Sequence, residues 1–493
     1  MQITKFIRRH FPPLALLLTL STAYLLTLAP GLTWANNGSD GGDLVSAAYT
    51  NGIPHPTGYP TYLFLARLFQ WMPVGSLAYR THLLSAAATV LASLFVYQLV
   101  AREMEDGASG AARLAGLTAG FAFGFSPLVW SQAVITEVYA LHSLLVAALL
   151  FCLVHPPRWD QKNLDLLHGS LMGLTMGNHL TAALLLPFLF FPSQRDNLPP
   201  LSGGSASSIL RKLIWLLAGL SIYLTLPLRA WSRPPINWGN PVTLKQFWWL
   251  VSGELYRGYY LQFSPAEIGG RMPDVPSFLL HQFGWLGFLL AVAGLIVFFK
   301  PSRLYLSTIW VGLVFGVFAI LYASGDSDVY FHPASLAFAV WIGLGVGHPL
   351  NRIRWQPRFV LWAAGFLLLG YFALRAFGIV GEVDASQDRR AEAFGRQVLV
   401  QVPKDALVFI KGDKAVFAVW YFHFALDQRP DMAVIAEELL HFDWYLETLR
   451  ETYPALAVPG PFPWAQNVAD ANPDRPICYV QYTNRTELDC HLP

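Results

Sequence analysis

Ten long apolar stretches dominate this chain and leave it few ways to fold. They cover residues 12–30, 80–101, 112–127, 133–154, 164–192, 209–228, 282–299, 304–323, 333–347 and 357–377. About 20 mostly apolar residues cross a bilayer as a helix. Backbone amides in lipid must be satisfied inside their own segment, so each stretch predicts a membrane helix. Composition agrees, with 54% of residues hydrophobic and only 13% charged, where a soluble domain carries about a quarter. A soluble enzyme, a disordered chain and a disulfide-stapled secreted module are excluded. A net charge of +2 is too small to imply nucleic-acid binding. Three cysteines build neither a disulfide framework nor a multi-cysteine metal site.

Lys5, Arg8, Arg9 and His10 precede the first stretch, but no small-residue cleavage site follows it. It reads as a signal anchor with a cytoplasmic N-terminus. The positive-inside rule puts the basic loops at Arg102 and Arg113, Arg158 and Lys162, Arg195 with Arg211 and Lys212, Lys300 and Arg303, and Arg352, Arg354 and Arg358 on the inner side. The loops at Arg158 and Arg195 share that side only if the stretch 164–192 enters and returns as two short helices. The break falls at Gly177-Asn178-His179, of the kind tolerated where backbone lines a cavity. About eleven membrane helices result; ten, with everything after Pro192 inverted, is the alternative. The fold class is mainly α, a polytopic helical bundle occupying 1–378, with segments 31–79, 230–281 and 324–332 outside. A small α/β domain on the outer face follows at 379–493, in the plasma membrane of the cell. Within it strands are expected at 406–410, 432–436 and 477–482, and helices at 415–426 and 442–451.

Polar residues at membrane helix ends are costly and therefore informative. Asp40 and Asp43 sit among glycines just beyond the first helix. Glycine allows close backbone approach and an aspartate can accept a proton, although Asp-Gly runs are also ordinary turns. His55 is bracketed by Pro54 and Pro56, and an aromatic stretch from Tyr59 to Trp71 reads as an interfacial helix. Glu137, beside Tyr139, is a carboxylate close to the hydrocarbon that must pair, bind an ion or line water. Asn178 and His179 occupy the helix break, and Arg229 ends the seventh helix with a guanidinium suited to phosphate oxygens. Asp326 and Asp328, near Tyr330, make a weak divalent-cation signal. All of these gather on the outer face. Walker, G-x-G-x-x-G, G-x-S-x-G and H-E-x-x-H motifs are missing.

The runs Asp40-Gly41-Gly42-Asp43, His55-Pro56-Thr57-Gly58-Tyr59-Pro60, Glu137-Val138-Tyr139 and Gly177-Asn178-His179 resemble the transmembrane protein 260-type membrane glycosyltransferases. So do Pro227-Leu228-Arg229, Asn237-Trp238-Gly239, Asp326 to Phe331, Gly412-Asp413, Arg429-Pro430-Asp431 and Trp444-Tyr445, over nearly the whole chain. In animals these are protein O-mannosyltransferases. The resemblance implies a GT-C glycosyltransferase fold and a sugar taken from a polyprenyl phosphate on the outer side. It implies an early outer-loop acid as general base; Asp40 aligns best and Asp43 is second choice. The helical repeats at the C-terminus of the animal member are not seen here.

The expected reaction moves mannose or another hexose from the lipid-linked donor to an acceptor hydroxyl, on protein Ser or Thr, with inversion. Asp40 acts as base and Glu137 orients it or shapes the sugar pocket. Arg229 steadies the phosphate, assisted by His179 or His55. Tyr59, Tyr139, Asn178, Asp326, Asp328 and Tyr330 complete the donor site. No metal site is assigned, a divalent cation stays open as a cofactor, the lipid-linked sugar is the donor, and a lipid or glycan is the alternative to a protein acceptor. Two rivals stand beside this: a transporter or flippase for an anionic lipid, expected to carry midplane charges and an inverted repeat, and a non-catalytic assembly protein.

Overall fold

A computed structural model of the chain describes residues 2–104, 110–193, 204–260, 262–297, 299–352, 358–460 and 462–492. Arg195 and Arg354, two of the residues expected to set orientation, lie outside them, as do the side chains of Arg8, Arg9 and Arg358.

Helix α1 (Gln2–Thr27) enters the bundle. Its Leu16, Leu20 and Tyr24 are fully buried, and the Tyr24 hydroxyl donates to the Gly124 carbonyl at 2.7 Å. Two short helices, α2 (Gly41–Tyr49) and α3 (Pro60–Gln70), occupy the first loop. The bundle continues with α4 (Leu77–Glu103), α5 (Gly110–Gly124), α6 (Pro127–Ala133), α7 (Val138–Val154) and α8 (Gln161–Asn178). A 3₁₀ helix, Leu180–Phe190, precedes the long α9 (Ala206–Ala230). After α10 (Leu244–Val251) come α11 (Asp274–Val292), α12 (Arg303–Leu321), α13 (His332–Arg352) and α14 (Arg358–Val383). Helix α11 begins eight residues before the expected start at Gln282 and bends at Gly284, where φ is 68°.

Every apolar stretch forms helix, where about eleven spans are expected. Among the described residues, seven helices are long and apolar enough to cross a membrane, or eight if α5 and α6, bent by 66°, count as one, and Val138–Val154 and Leu180–Phe190 are shorter apolar helices. The shortfall has a physical cause. Helix α7 has no exposed residue, and a helix shielded from lipid can be short or carry polar residues. The chain is a multi-pass membrane protein, with α14 turning Trp362, Phe366 and Phe377 outward.

The doubling back of 164–192 is as expected. From the break at His179 the 3₁₀ helix returns along α8 until Ser193 donates to Asp165 at 2.8 Å. Helices α8 and α9 pack through Gly173 and Gly219, where an added Cβ would meet backbone at 2.5 Å. Small residues permit such approach in membrane helices. Thirteen residues along α8 from Asn178, roughly 20 Å from the break, fully buried Asp165 also accepts from Gln161 (2.7 Å), Ser208 (2.7 Å) and Arg211 (2.8 Å). Lys212 caps the carbonyls of Leu189 and Phe191. Replacing Asp165 with Ala orphans all four donors. We expect a loss of about 3 kcal/mol, read as a lower midpoint of thermal unfolding in detergent, with Asp165→Asn losing less.

The tail is the expected α/β domain. Helix α15 (Arg390–Gln401) leads to β1 (Leu407–Lys411), α16 (Asp413–Trp420), β2 (Ala433–Ala436), α17 (Asp443–Thr452), β3 (Ile477–Tyr482) and β4 (Thr486–His491). Strand order is β2-β1-β3-β4; the first three are parallel and β4 is antiparallel. A disulfide joins Cys478 to Cys490, which face each other across β3 and β4.

The domain is clamped to the bundle. Asp388 accepts from the Thr33 hydroxyl at 2.6 Å and the Trp34 amide at 2.9 Å. The Trp34 ring lies 4.4 Å from Tyr482 and 5.4 Å from Phe394, centroid to centroid. At Gly42 an added Cβ would stand 2.4 Å from the Phe417 carbonyl, so glycine is what lets α2 lie against α16.

Candidate active site

The first loop is shaped by two turns. Asp40 is the N-cap of α2 but makes no capping bond, which leaves its carboxylate free to turn outward. One turn on, Asp43 points inward and is fully buried. The chain then runs to Ile53, which pairs with Asn237 in a short parallel bridge. That bridge sets Trp238 beside His55, ring centroids 6.4 Å apart. Gly58 takes a φ of 82°, as glycine readily does, and turns the chain into α3.

His55 is held between two carboxylates. Its Nδ1 lies 2.7 Å from Asp43 Oδ2, which also accepts the His55 amide at 2.9 Å, and its Nε2 lies 3.5 Å from Asp40 Oδ2. Burial pushes the imidazole pKa down, but Asp40 and Asp43 outweigh it and hold the group up at about 9. An imidazolium donating from both nitrogens fits that geometry. The Asp40 carboxyl is raised above its ordinary value by burial, opposed by His55 and by a hydrogen bond from Ser39. Its side chain is 37% exposed, and that exposure is to an internal cavity.

The cavity measures about 670 Å³. It brings together Asp40, His55, Tyr59, Tyr139, His179, Asp326 and Tyr330 of the expected residues. Their rings form a connected wall: Tyr59 to His179 is 6.2 Å, Tyr139 to His179 is 5.7 Å and His179 to Tyr330 is 5.7 Å, centroid to centroid. His179 Nδ1 lies 2.7 Å from the Thr181 hydroxyl, itself 3.4 Å from His142 Nε2.

The other expected residues stand behind or away from this wall. Asp43 backs His55. Glu137 is buried and is not among the residues lining the cavity. Asn178 is buried and donates to the Val138 carbonyl at 3.2 Å, tying α8 to the start of α7. Arg229 donates to the Gly52 carbonyl at 3.2 Å, so its guanidinium serves the first loop's backbone and leaves the cavity without it. Asp328 faces a separate cavity of about 230 Å³ beside Arg271 and Asp274, so it does not share a cation with Asp326. Among the described residues no group of three or more His, Cys, Asp or Glu is arranged to hold a metal ion.

The sequence reading missed the tail domain's share of the site. Asp413, Phe417, Glu438 and His441 line the same cavity. Burial raises the Asp413 carboxyl to about 6, and Asp40 adds to the rise. The available signal was the pair Gly412-Asp413 directly after an apolar strand. Tyr256, Tyr259 and Tyr260 line the cavity as well.

An apolar groove of about 500 Å³ joins the cavity. It runs between the 3₁₀ helix and α12, lined by Trp310, Leu313, Val314 and Val317, and shares Leu184, Tyr260, Phe318 and Tyr322 with the cavity.

The model described as "Protein O-mannosyl-transferase TMEM260 N-terminal domain" matches residues 40–195, and "TMEM260-associated domain 2" matches 391–489. The chain is 26% identical over 478 residues to protein O-mannosyl-transferase TMEM260 of Mus musculus, covering 90% of this chain and 65% of that protein. Against protein O-mannosyl-transferase tmem260 of Dictyostelium discoideum it is 24% identical over 504 residues, covering 90% and 59%. It therefore spans less than two thirds of the length of these curated relatives. The fold is similar to that of ArnT from Cupriavidus metallidurans bound to undecaprenyl phosphate, with a TM-score of 0.60 at 12% identity, over 95% of this chain and 92% of that one. For apo ArnT the TM-score is 0.59 at 13% identity, over 98% and 93%.

Proposed function

The chain belongs to the TMEM260 family, and from that membership we propose that it is a membrane glycosyltransferase. It takes mannose or another hexose from a polyprenyl phosphate and passes it to a hydroxyl of a protein Ser or Thr. The observation that carries this reading is Asp40, turned into a cavity that joins an apolar groove. A donor with a polar head and a long apolar tail fits that pair of spaces, and undecaprenyl phosphate in the similar ArnT structure supports it.

In the proposed step the Asp40 carboxylate takes the proton of the acceptor hydroxyl. The acceptor oxygen attacks the anomeric carbon, the bond from that carbon to the phosphate oxygen breaks, and polyprenyl phosphate leaves with the electron pair. The anomeric carbon inverts. His55, protonated and anchored by buried Asp43, fixes the direction of the Asp40 carboxylate. Glu137, buried behind the wall, supports the sugar end of the site. No Lys or Arg is among the described residues lining the cavity. The leaving phosphate is accordingly assigned to donors in the cavity wall: His179, Thr181 and the hydroxyls of Tyr139 and Tyr330. Preorganised donors of this kind stabilise developing charge without needing a full cation. Asp326 and Tyr59 face the sugar. The tail domain and the cavity lie on the extracytoplasmic side in this reading, in agreement with the Cys478–Cys490 disulfide, a bond that persists in oxidising compartments.

The test is purified protein in vesicles, supplied with polyprenyl phosphate carrying radiolabelled mannose or glucose and a serine-containing peptide. Label on the peptide is the expected result. Label that crosses the bilayer without transfer identifies a transporter, and neither outcome identifies an assembly role. The groove makes its own prediction. Val317→Trp, which fills it, should raise the donor KM about tenfold for a long prenyl chain and leave a ten-carbon donor unaffected, a ground-state binding effect. Equal KM changes for both chain lengths would remove the groove from the donor site.

A further inference from the structure

We propose that the C-terminal domain supplies the acceptor subsite of this cavity and that the subsite takes acceptors with a positive charge beside the reacting hydroxyl. This rests on the transferase reading above.

The donor's tail enters through the groove and meets the cavity at Leu184, Phe318 and Tyr322. The acceptor must reach Asp40 from another wall, and the tail domain forms one. Strands β1 and β2 are parallel and both end at the cavity, where the residues that follow them include Asp413 and Glu438. In open parallel sheets, the crevice beyond the carboxyl ends of the strands is where ligands bind. Gly412, between β1 and Asp413, has nothing within 4 Å of its Cβ position, so this edge is open.

Charge identifies the occupant. Asp40, Asp326, Asp413 and Glu438 line the cavity, the protonated His55 between Asp40 and Asp43 offsets only part of their charge, and the described lining residues include no Lys or Arg. Like charges so placed repel, and Asp40 adds to the rise that burial imposes on the Asp413 carboxyl. A cation in the space relieves that repulsion, and complementary charge selects partners by this means. A second feature lies on the same wall. Trp238 is only 4% exposed and lines the cavity, yet its indole Nε1–H has no partner. It lies against Phe417 at 6.3 Å between centroids, beside the Asp413 helix. A peptide carbonyl satisfies that donor, and a neighbouring lysine or arginine satisfies the acids. A metal ion offers the charge but no acceptor for the indole.

The experiment uses the full-length protein with two synthetic peptides that differ only in carrying lysine or glutamate on both sides of one serine. The lysine peptide should show a KM about tenfold lower or better, in EDTA as well as in added Mg²⁺. Asp413→Asn combined with Glu438→Gln should bring the two KM values together while the donor KM holds, and Asp413→Glu should keep the preference. Retention of donor KM also shows that the double variant is folded. Equal KM values in the unmodified protein, or a preference that survives the double substitution, overturn the proposal. So does a preference that appears only with Mg²⁺, which would assign the acids to a metal. Transfer to neither peptide overturns the transferase reading itself, an outcome distinct from transfer without charge preference.

Discussion

Asp40→Asn is expected to lower kcat for sugar transfer by about 10²–10⁴-fold, the usual cost of removing a general base. The protein should remain folded, because Asp40 makes no capping bond to α2 and its side chain opens on the cavity. Donor KM should change little, since the amide keeps the shape of the carboxylate and loses only its basicity. The comparison variant is Asp43→Asn. Asp43 is fully buried and accepts two bonds from His55. Its loss should also slow transfer, but with a lower unfolding temperature, because it anchors the loop. Single-turnover kinetics on saturating donor separate the two. An Asp40→Asn protein that turns over at the unmodified rate removes Asp40 from the chemistry.

The second large effect concerns His55. Its proton is held up to about 9 by the flanking carboxylates, and two signs follow. Transfer needs Asp40 ionised, so the rate rises with pH through the raised Asp40 carboxyl. It also needs His55 charged, so the rate falls as pH passes about 9. The kcat profile should be bell-shaped. His55→Gln should cost about 10²-fold, the scale of a misdirected reacting group, and should erase the alkaline limb. A purely structural histidine would leave the limb in place. The same proton stabilises the fold. Because the folded value lies above the ordinary 6.5, the contribution is complete below about pH 6.5 and disappears as pH rises through about 9. Unfolding temperature against pH reads this directly, and the slope between those values should vanish in His55→Gln.

Some of this architecture is readable in the primary structure because the relevant physics is local. Membrane helices announce themselves by apolar length, and the turn at Gly177-Asn178-His179 follows from the side on which basic loops must lie. Asp40, Asp43 and His55 are within one loop, so their meeting requires little tertiary information. Arg229 shows the limit. Charge and position put it at the correct end of α9, but which way a guanidinium turns is decided by a free carbonyl at Gly52. Helix α7 shows another: hydropathy measures contact with lipid, and a helix shielded by neighbours answers to a different solvent. Strand β4 is polar, with the sequence Thr-Glu-Leu-Asp-Cys-His, and becomes a strand through pairing with β3. Asp413 and Glu438 are the longest reach. Their partners in the cavity lie hundreds of residues away, and nothing in a local window says that the tail folds down onto the first loop.

That folding-down has a consequence for biogenesis. Thr33 meets Asp388 across 355 positions, and Asp40 shares its chamber with Asp413. A ribosome that has already threaded every helix into the bilayer has still made only an unroofed trough. The roof arrives last, and contacts so distant in the chain close slowly. Half-made copies would thus lack a finished chamber, and a chain cut anywhere before its final strands should be inert in the transfer assay without any change to its membrane helices.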